Sequence, residues 1–208
     1  MFDDQPHRPT APTDREFHAV TRLHVISAAT RPTSSGRPLA QWVSEQARAR
    51  GDFEVTPVDL AEIALPFLDE PEYASSGVYA HQHTKDWSAL IESADALVFV
   101  LPMYNGGFTA PFKNAIDFLY TEWKGKPVGI VSYSAGPTGG VPAARMLLPV
   151  LTQVGMVPAE RSVAVAGIPK LVGPDGFLAP EGLADELTGV LDDVALLAAQ
   201  RAGEAVSA

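Results

Sequence analysis

The sequence predicts an α/β domain with a parallel five-stranded sheet covered by helices on both faces. Three observations predict it. Short apolar runs rich in Val and Ile alternate with stretches of helical period. The runs are apolar on consecutive residues, as in strands buried on both faces. Loops of unusual Gly, Ser, Thr and Asn content follow the first, third and fourth runs, each leading into a helical pattern.

The first strand is Leu23–Ala28. Gly36, Arg37 and Pro38 then open a helix, with proline in the first turn where a missing N–H costs nothing. Leu39, Trp42, Val43 and Ala47 give that helix one apolar stripe, and Gly51 ends it. Phe53–Leu60 is the second strand, and Pro57 suits an edge position. The stretch Pro66–Gln82 is irregular. Thr84–Ser93 is helical, with Trp87, Leu90 and Ile91 on one face. Ala96–Leu101 is the third strand, and the helix after its loop carries Phe112, Ala115, Ile116 and Leu119. Pro127–Tyr133 is the fourth strand, and the helix beyond it carries Ala144, Leu147, Leu148 and Leu151, with Pro149 bending it. Ser162–Ala166 is the fifth strand, and Ala184–Arg201 closes the chain as a helix. Right-handed crossovers leave few topologies for such a series. The flavodoxin-like order 2-1-3-4-5 brings the loops after strands one, three and four together at the switch point, where open α/β sheets bind ligands.

The 208 residues are enough for one substantial core. Residues 1–21 are expected to be a disordered extension without the apolar segment of a secretory signal, and 22–208 the folded domain. No apolar run is long enough to cross a bilayer. A net charge of −10 repels phosphate backbones and anionic lipid, so neither nucleic acid nor membrane is expected as a partner. The absence of cysteine removes disulfides, thiolate catalysis and cysteine metal sites, and fits a cytoplasmic location.

The first loop, Ala28–Gly36, combines small residues with the hydroxyls of Thr30, Thr33, Ser34 and Ser35 and the planar charge of Arg31. Together with a helix N-terminus, this set suits a phosphate. A plain loop with Ser35 as N-cap explains it equally well. The second loop brings Tyr104 and Asn105 beside Gly106 and Gly107, after Pro102 and Met103. Glycine permits close backbone approach to a flat ligand, and asparagine both donates and accepts. Taken alone, a glycine turn with a surface tyrosine is the simpler reading. The third loop, Ser132–Gly140, offers Tyr133, Ser134 and several N–H groups, with Gly139 and Gly140 at its end.

Together these segments identify a resemblance. Ala-Thr-Arg-Pro at 29–32, His-Thr-Lys-Asp-Trp…Ala-Asp-Ala at 83–96, Pro-Met-Tyr-Asn…Lys-Asn-Ala-Ile-Asp at 102–117, the segment 122–134 and the Gly139-Gly140 pair occur in the order and spacing of the NADPH-dependent FMN reductase family. The resemblance spans about Leu23–Val165. It implies a flavodoxin-like FMN protein that takes hydride from NADPH or NADH and reduces a small-molecule acceptor such as free flavin, a quinone or an azo compound. It also implies that Thr30, Arg31, Ser34 and Ser35 hold the FMN phosphate. Pro102, Met103, Tyr104, Asn105 and Gly106 would border the flavin and its ribityl chain, and Ser132, Tyr133, Ser134, Gly139 and Gly140 would line the ring edge. No catalytic acid, base or nucleophile and no metal is then required, because the cofactor performs the chemistry. A homodimer or homotetramer is implied; the aromatics Phe67, Tyr73, Tyr79, Phe108 and Trp123 fit its boundary, or equally a cap on the domain's own core.

Two positions depart from the family pattern. Ala28-Ala29 stands where a serine usually precedes Thr-Arg, so one phosphate hydroxyl is missing and Ser34 or Ser35 is the candidate substitute. Met103 stands where glutamate is usual, placing a polarisable apolar side chain near the pocket. Other classes fit less well. Ser132–Gly136 half-resembles a nucleophile elbow, yet all five histidines precede it, against the chain order of an α/β-hydrolase. His81 and His83, with Glu72 and Asp86, only hint at a metal site. Neither G-x-x-x-x-G-K-[ST] nor a G-x-G-x-x-G after the first strand is present. Lys113 and Asp117 form a helical i, i+4 pair. Arg145 lies near the third loop, and Lys170–Pro180 is a lid or a connector. Two alternatives keep the fold: a non-catalytic flavin carrier or redox-sensing module that docks through acidic charge, and a domain that has lost the flavin.

Overall fold

The computed structural model describes residues 20–207, with side chains through Glu204; the expected N-terminal extension lies outside the described residues. Strand β1 (Thr21–Ser27) is followed by α1 (Gly36–Arg50), β2 (Phe53–Asp59) and a single helical turn α2 (Leu60–Ile63). Next come α3 (Gln82–Glu92), β3 (Ala96–Pro102), α4 (Ala110–Asp117), β4 (Pro127–Tyr133), α5 (Val141–Gln153) and β5 (Val157–Val165). The chain ends with a small hairpin, β6 (Val172–Gly173) and β7 (Gly176–Phe177), and α6 (Leu183–Ser207). The sheet is parallel throughout, as the alternating pattern predicts, and its order is the flavodoxin-like β2-β1-β3-β4-β5. Pro57 lies in edge strand β2.

Period-two alternation divides the sheet residues between two cores. On one face Ile26, Leu97, Phe99, Leu101 and Ile130 pack with Trp87 and Ile91 of α3, Phe112 and Ile116 of α4, and Leu147 and Leu151 of α5. On the other, Leu23, Val25, Val98, Val100, Val131, Tyr133 and Val163 pack with Leu39 and Val43 of α1 and Leu187, Val190 and Val194 of α6. All seven residues of β3 and all seven of β4 are buried, which accounts for their unbroken apolar runs.

Several elements differ from expectation. Strand β5 begins at Val157, five residues before Ser162; its first half is exposed or half-buried on the sheet margin and mixes Val, Pro and Ala with Glu and Arg, so it lacks an apolar run. The Lys170–Pro180 segment contains the β6–β7 hairpin, whose Phe177 ring sits 5.3 Å from that of Trp42. Helix α4 ends at Asp117, so Leu119 is buried beyond it. The 66–82 connection is held by Asn114, which accepts from the Leu68 amide (3.0 Å) and donates to the Pro66 carbonyl (2.7 Å). Trp123 is buried, with its indole N–H on the Ile116 carbonyl, so it lines no exterior boundary. Tyr79 is half-buried and donates to Glu122, and Phe108 packs on the first core. Phe67 and Tyr73 stay exposed.

Candidate active site

At the carboxyl edge of the sheet the loops after β1, β3 and β4 meet. They are tied together by main-chain and hydroxyl bonds. The Ala28 amide donates to Val100 O (3.0 Å), and the Met103 amide donates to Tyr133 O (3.1 Å). Thr109, the N-cap of α4, is buried; its hydroxyl donates to Ala28 O (2.9 Å) and accepts from the Phe112 amide (3.4 Å). Sequence reasoning passed over Thr109 as a site residue, although Thr-Ala-Pro before a helical stripe is a cap signature.

The first loop turns over the start of α1. Ser34 Oγ accepts from the Gly36 amide at 3.0 Å, whereas Ser35 at the N-cap makes no side-chain cap bond. The capping role therefore falls to Ser34, because the backbone at Ser35 is already helical (φ −68°, ψ −9°), outside the extended region in which a cap side chain reaches back. Among the described residues the amides of Thr30, Arg31, Thr33 and Ser35 meet no protein acceptor, and the hydroxyls of Thr30, Thr33 and Ser35 meet no partner. Arg31 and Thr33 are exposed, and Thr30, Ser34 and Ser35 are half-buried. Arg37 supports the loop from below. It pairs with Asp59 at the end of β2 and donates to the carbonyls of Arg31 (3.3 Å) and Pro32 (2.9 Å). Its neighbours on α1 and β2 line a cleft of about 360 Å³ beside the loop.

In the second loop Tyr104 and Gly107 exchange both main-chain bonds, at 2.9 and 3.1 Å. Asn105 (φ 52°) and Gly106 (φ 85°) at the tip take left-handed backbone, which asparagine and glycine tolerate best. Tyr104, Asn105 and Gly106 are exposed, Pro102 is buried at the end of β3, and Met103 packs on the first core. Met146 of α5 borders this loop, with its sulfur 3.3 Å from where a Cβ on Gly107 would lie.

The third loop is pressed against the sheet. A Cβ on Gly140 (φ 84°) would lie 2.8 Å from the Tyr133 nitrogen, and one on Gly139 (φ 58°) 2.8 Å from the Ala164 carbonyl carbon. Ser132 Oγ donates to Gly139 O at 2.8 Å and Ser134 Oγ to Gly136 O at 3.1 Å, so both hydroxyls fold the loop onto itself. The amides of Ala135 and Gly136 meet no protein acceptor among the described residues. Tyr133 is buried and turned toward α1 beneath the first loop, its hydroxyl 3.2 Å from Ser34 Oγ. Burial pushes this phenol up to about 12.

The structure thus brings Thr30–Ser35, Tyr104–Gly106 and Ala135–Gly136 to one rim, and sets Pro102, Ser132, Tyr133, Ser134, Gly139 and Gly140 beneath it. Elsewhere, His81 and His83 stack at 5.2 Å, with His83 Nε2 3.0 Å from Asp69, and no group of three or more metal-ligating side chains is found among the described residues. Lys113 and Asp117 pair at 2.7 Å. Arg145 is exposed. No helix among the described residues is long and apolar enough to cross a membrane.

The model of the NADPH-dependent FMN reductase family matches residues 21–170. The chain belongs to that family. It is 43% identical over 121 residues to an NAD(P)H-dependent FMN reductase of Schizosaccharomyces pombe, a match covering 57% of this chain and 60% of that relative. It is 30% identical over 138 residues to an FMN-dependent NADPH-azoreductase of Staphylococcus aureus, covering 65% of this chain and 73% of that one. Among solved structures, the flavoenzyme NAD(P)H:(acceptor) oxidoreductase FerB from Paracoccus denitrificans superimposes with a TM-score of 0.71 at 24% identity, over 87% of this chain and 98% of that chain. This last likeness carries the flavodoxin-like fold. The family match ends before β6, β7 and α6, so these elements lie outside it.

Proposed function

We propose that the protein is an FMN-dependent oxidoreductase that takes hydride from NADPH or NADH and reduces a small acceptor of the flavin, quinone or azo type. Family membership supports this reading, and one structural observation carries it. Main-chain amides without protein acceptors line the rim on the first and third loops, and Asn105 stands between them with its side-chain amide unengaged among the described residues. Such a rim fits a ligand with a phosphate at one end and a flat polar heterocycle at the other. Thr30, Arg31, Ser34 and Ser35 would hold the phosphate. Tyr104, Asn105 and Gly106 would flank the ribityl chain and ring. The amides of Ala135 and Gly136 would stabilise negative charge at the ring edge. FMN, when bound, supplies the hydride-accepting chemistry. The chain itself binds and orients the ring and holds donors where charge collects.

The exposed rim suits a nicotinamide and an acceptor that use the same opening in turn. Met103 packed on the core and Met146 beside Gly107 give it a polarisable apolar wall. We further propose a cytoplasmic homodimer or homotetramer, with exposed Phe67 and Tyr73 available to its boundary.

Purified protein titrated with FMN is expected to quench flavin fluorescence at one site per chain and then to oxidise NAD(P)H only with FMN present. NAD(P)H oxidation by protein freed of all flavin would overturn the reading. The net charge of −10 favours a second one, a flavin carrier docking on a basic partner. Steady-state turnover with NADPH and a quinone separates them, because a carrier shows almost none.

A further inference from the structure

The Tyr133 ring does not face the rim. It lies on the α1 side of the sheet, so close to Gly36 that a Cβ there would overlap its hydroxyl. Ser34 Oγ is the sole hydrogen-bond partner of that hydroxyl among the described residues. This restricts the protons. A buried phenolic O–H with one partner donates to it, because the alternative leaves its own proton unbonded. Burial keeps the Tyr133 phenol protonated at neutral pH. Ser34 Oγ already accepts from the Gly36 amide. A serine hydroxyl has two acceptor lone pairs and one proton. With both lone pairs occupied from below, Ser34 has only its proton left to offer.

We propose that Tyr133 is a positioning residue that fixes the Ser34 hydroxyl as a donor toward the terminal phosphate of a bound flavin nucleotide. The inference rests on the FMN reading above and adds the residue that selects an anion at this end of the site. A serine free to rotate can accept as well as donate, and tolerates water or a neutral hydroxyl there. A serine locked as a donor favours an acceptor-only group, which phosphate is and the hydroxyl end of riboflavin is not.

The test compares FMN with riboflavin, both titrated by fluorescence quenching against wild type, Tyr133→Phe, Ser34→Ala and the double variant, each checked for native circular dichroism. Loss of one hydrogen bond to a charged group predicts that Ser34→Ala weakens FMN binding by about 10-fold or more. Tyr133→Phe is expected to weaken it by about 3- to 10-fold, the range of a neutral hydrogen bond. Riboflavin affinity should stay within about twofold in both. The double variant should bind FMN no more weakly than Ser34→Ala, because Tyr133 acts through Ser34. A ring serving only as packing would keep the FMN-to-riboflavin ratio in Tyr133→Phe, and that result overturns the proposal. Additive losses in the double variant overturn it too. Wild-type protein that binds both flavins equally would instead overturn the assignment of the phosphate to this loop.

Discussion

Thr109 serves two loops with one oxygen. Its hydroxyl caps α4 and holds the carbonyl of Ala28, the residue where β1 gives way to the first loop. Thr109→Ala should therefore cost about 1–2 kcal/mol, a lost cap together with a buried carbonyl left without its donor. Thr109→Ser should restore most of it, and urea denaturation of the two variants measures the difference. At this scale the sequence was only partly legible. Ser/Thr-rich loops announced hydroxyls near an anion, yet not which hydroxyl does what. Ser34 accepts from the Gly36 amide and Ser35 does not, because the backbone at Ser35 is already helical, a torsion that composition does not encode. The direction of Tyr133, by contrast, was open to period-two reasoning. Val131 and Tyr133 share a strand face, and Val131 faces α1 and α6. Placing the ring along the ligand overlooked that alternation.

The third loop depends on its glycines as an element depends on its ends. Gly139 and Gly140 lie where the chain passes over β4 and β5 with no room for a side chain and with left-handed backbone. Gly140→Ala should lower stability by about 3 kcal/mol or more, combining a strained torsion with contact against main chain. Gly136→Ala is the control. Its Cβ would meet nothing nearer than 4.0 Å and its φ is not positive. It should change stability by about 0.5 kcal/mol at most, and denaturation midpoints of the pair test the contrast. Elements were legible where burial is complete. β3 and β4 announce themselves because both faces are covered. The opening of β5, Val157–Arg161, does not, because its residues stand on an exposed margin and read as loop. The β6–β7 hairpin was hidden for a related reason. Its four strand residues carry too little pattern, and Phe177 gains its burial from Trp42, distant in sequence.

Across the whole molecule, the end of the sheet opposite the loops gathers bases. Lys126 is buried with its ammonium on Ala94 O at 2.6 Å. Burial, then the charges of Arg201 and Arg22, bring it from 10.5 down to about 8. Nearby, burial with Lys126 and Arg22 also lowers buried His24, keeping its ring neutral. For Lys126 the folded value lies below the unfolded one. Between about 8 and 10.5 the unfolded chain thus binds more protons, and this lysine's contribution to stability rises with pH across that window. Thermal midpoints of wild type and Lys126→Met should show it as a difference shifting in favour of wild type from pH 7.5 to pH 10. A constant difference would refute the assignment. His24 acts with the same sign below its ordinary 6.5, where acid must charge a buried ring.

The two margins of the sheet are guarded in different ways. On β2, Pro57 withholds a donor from any strand that might lie alongside. On β5, Pro158, Glu160 and Arg161 combine a missing donor with opposite charges. Neither rim invites another molecule to zip on and lengthen the ribbon. Any contact between copies of this chain is therefore expected to run through helices and connecting segments rather than by strand addition, which also denies fibrous aggregates a seed.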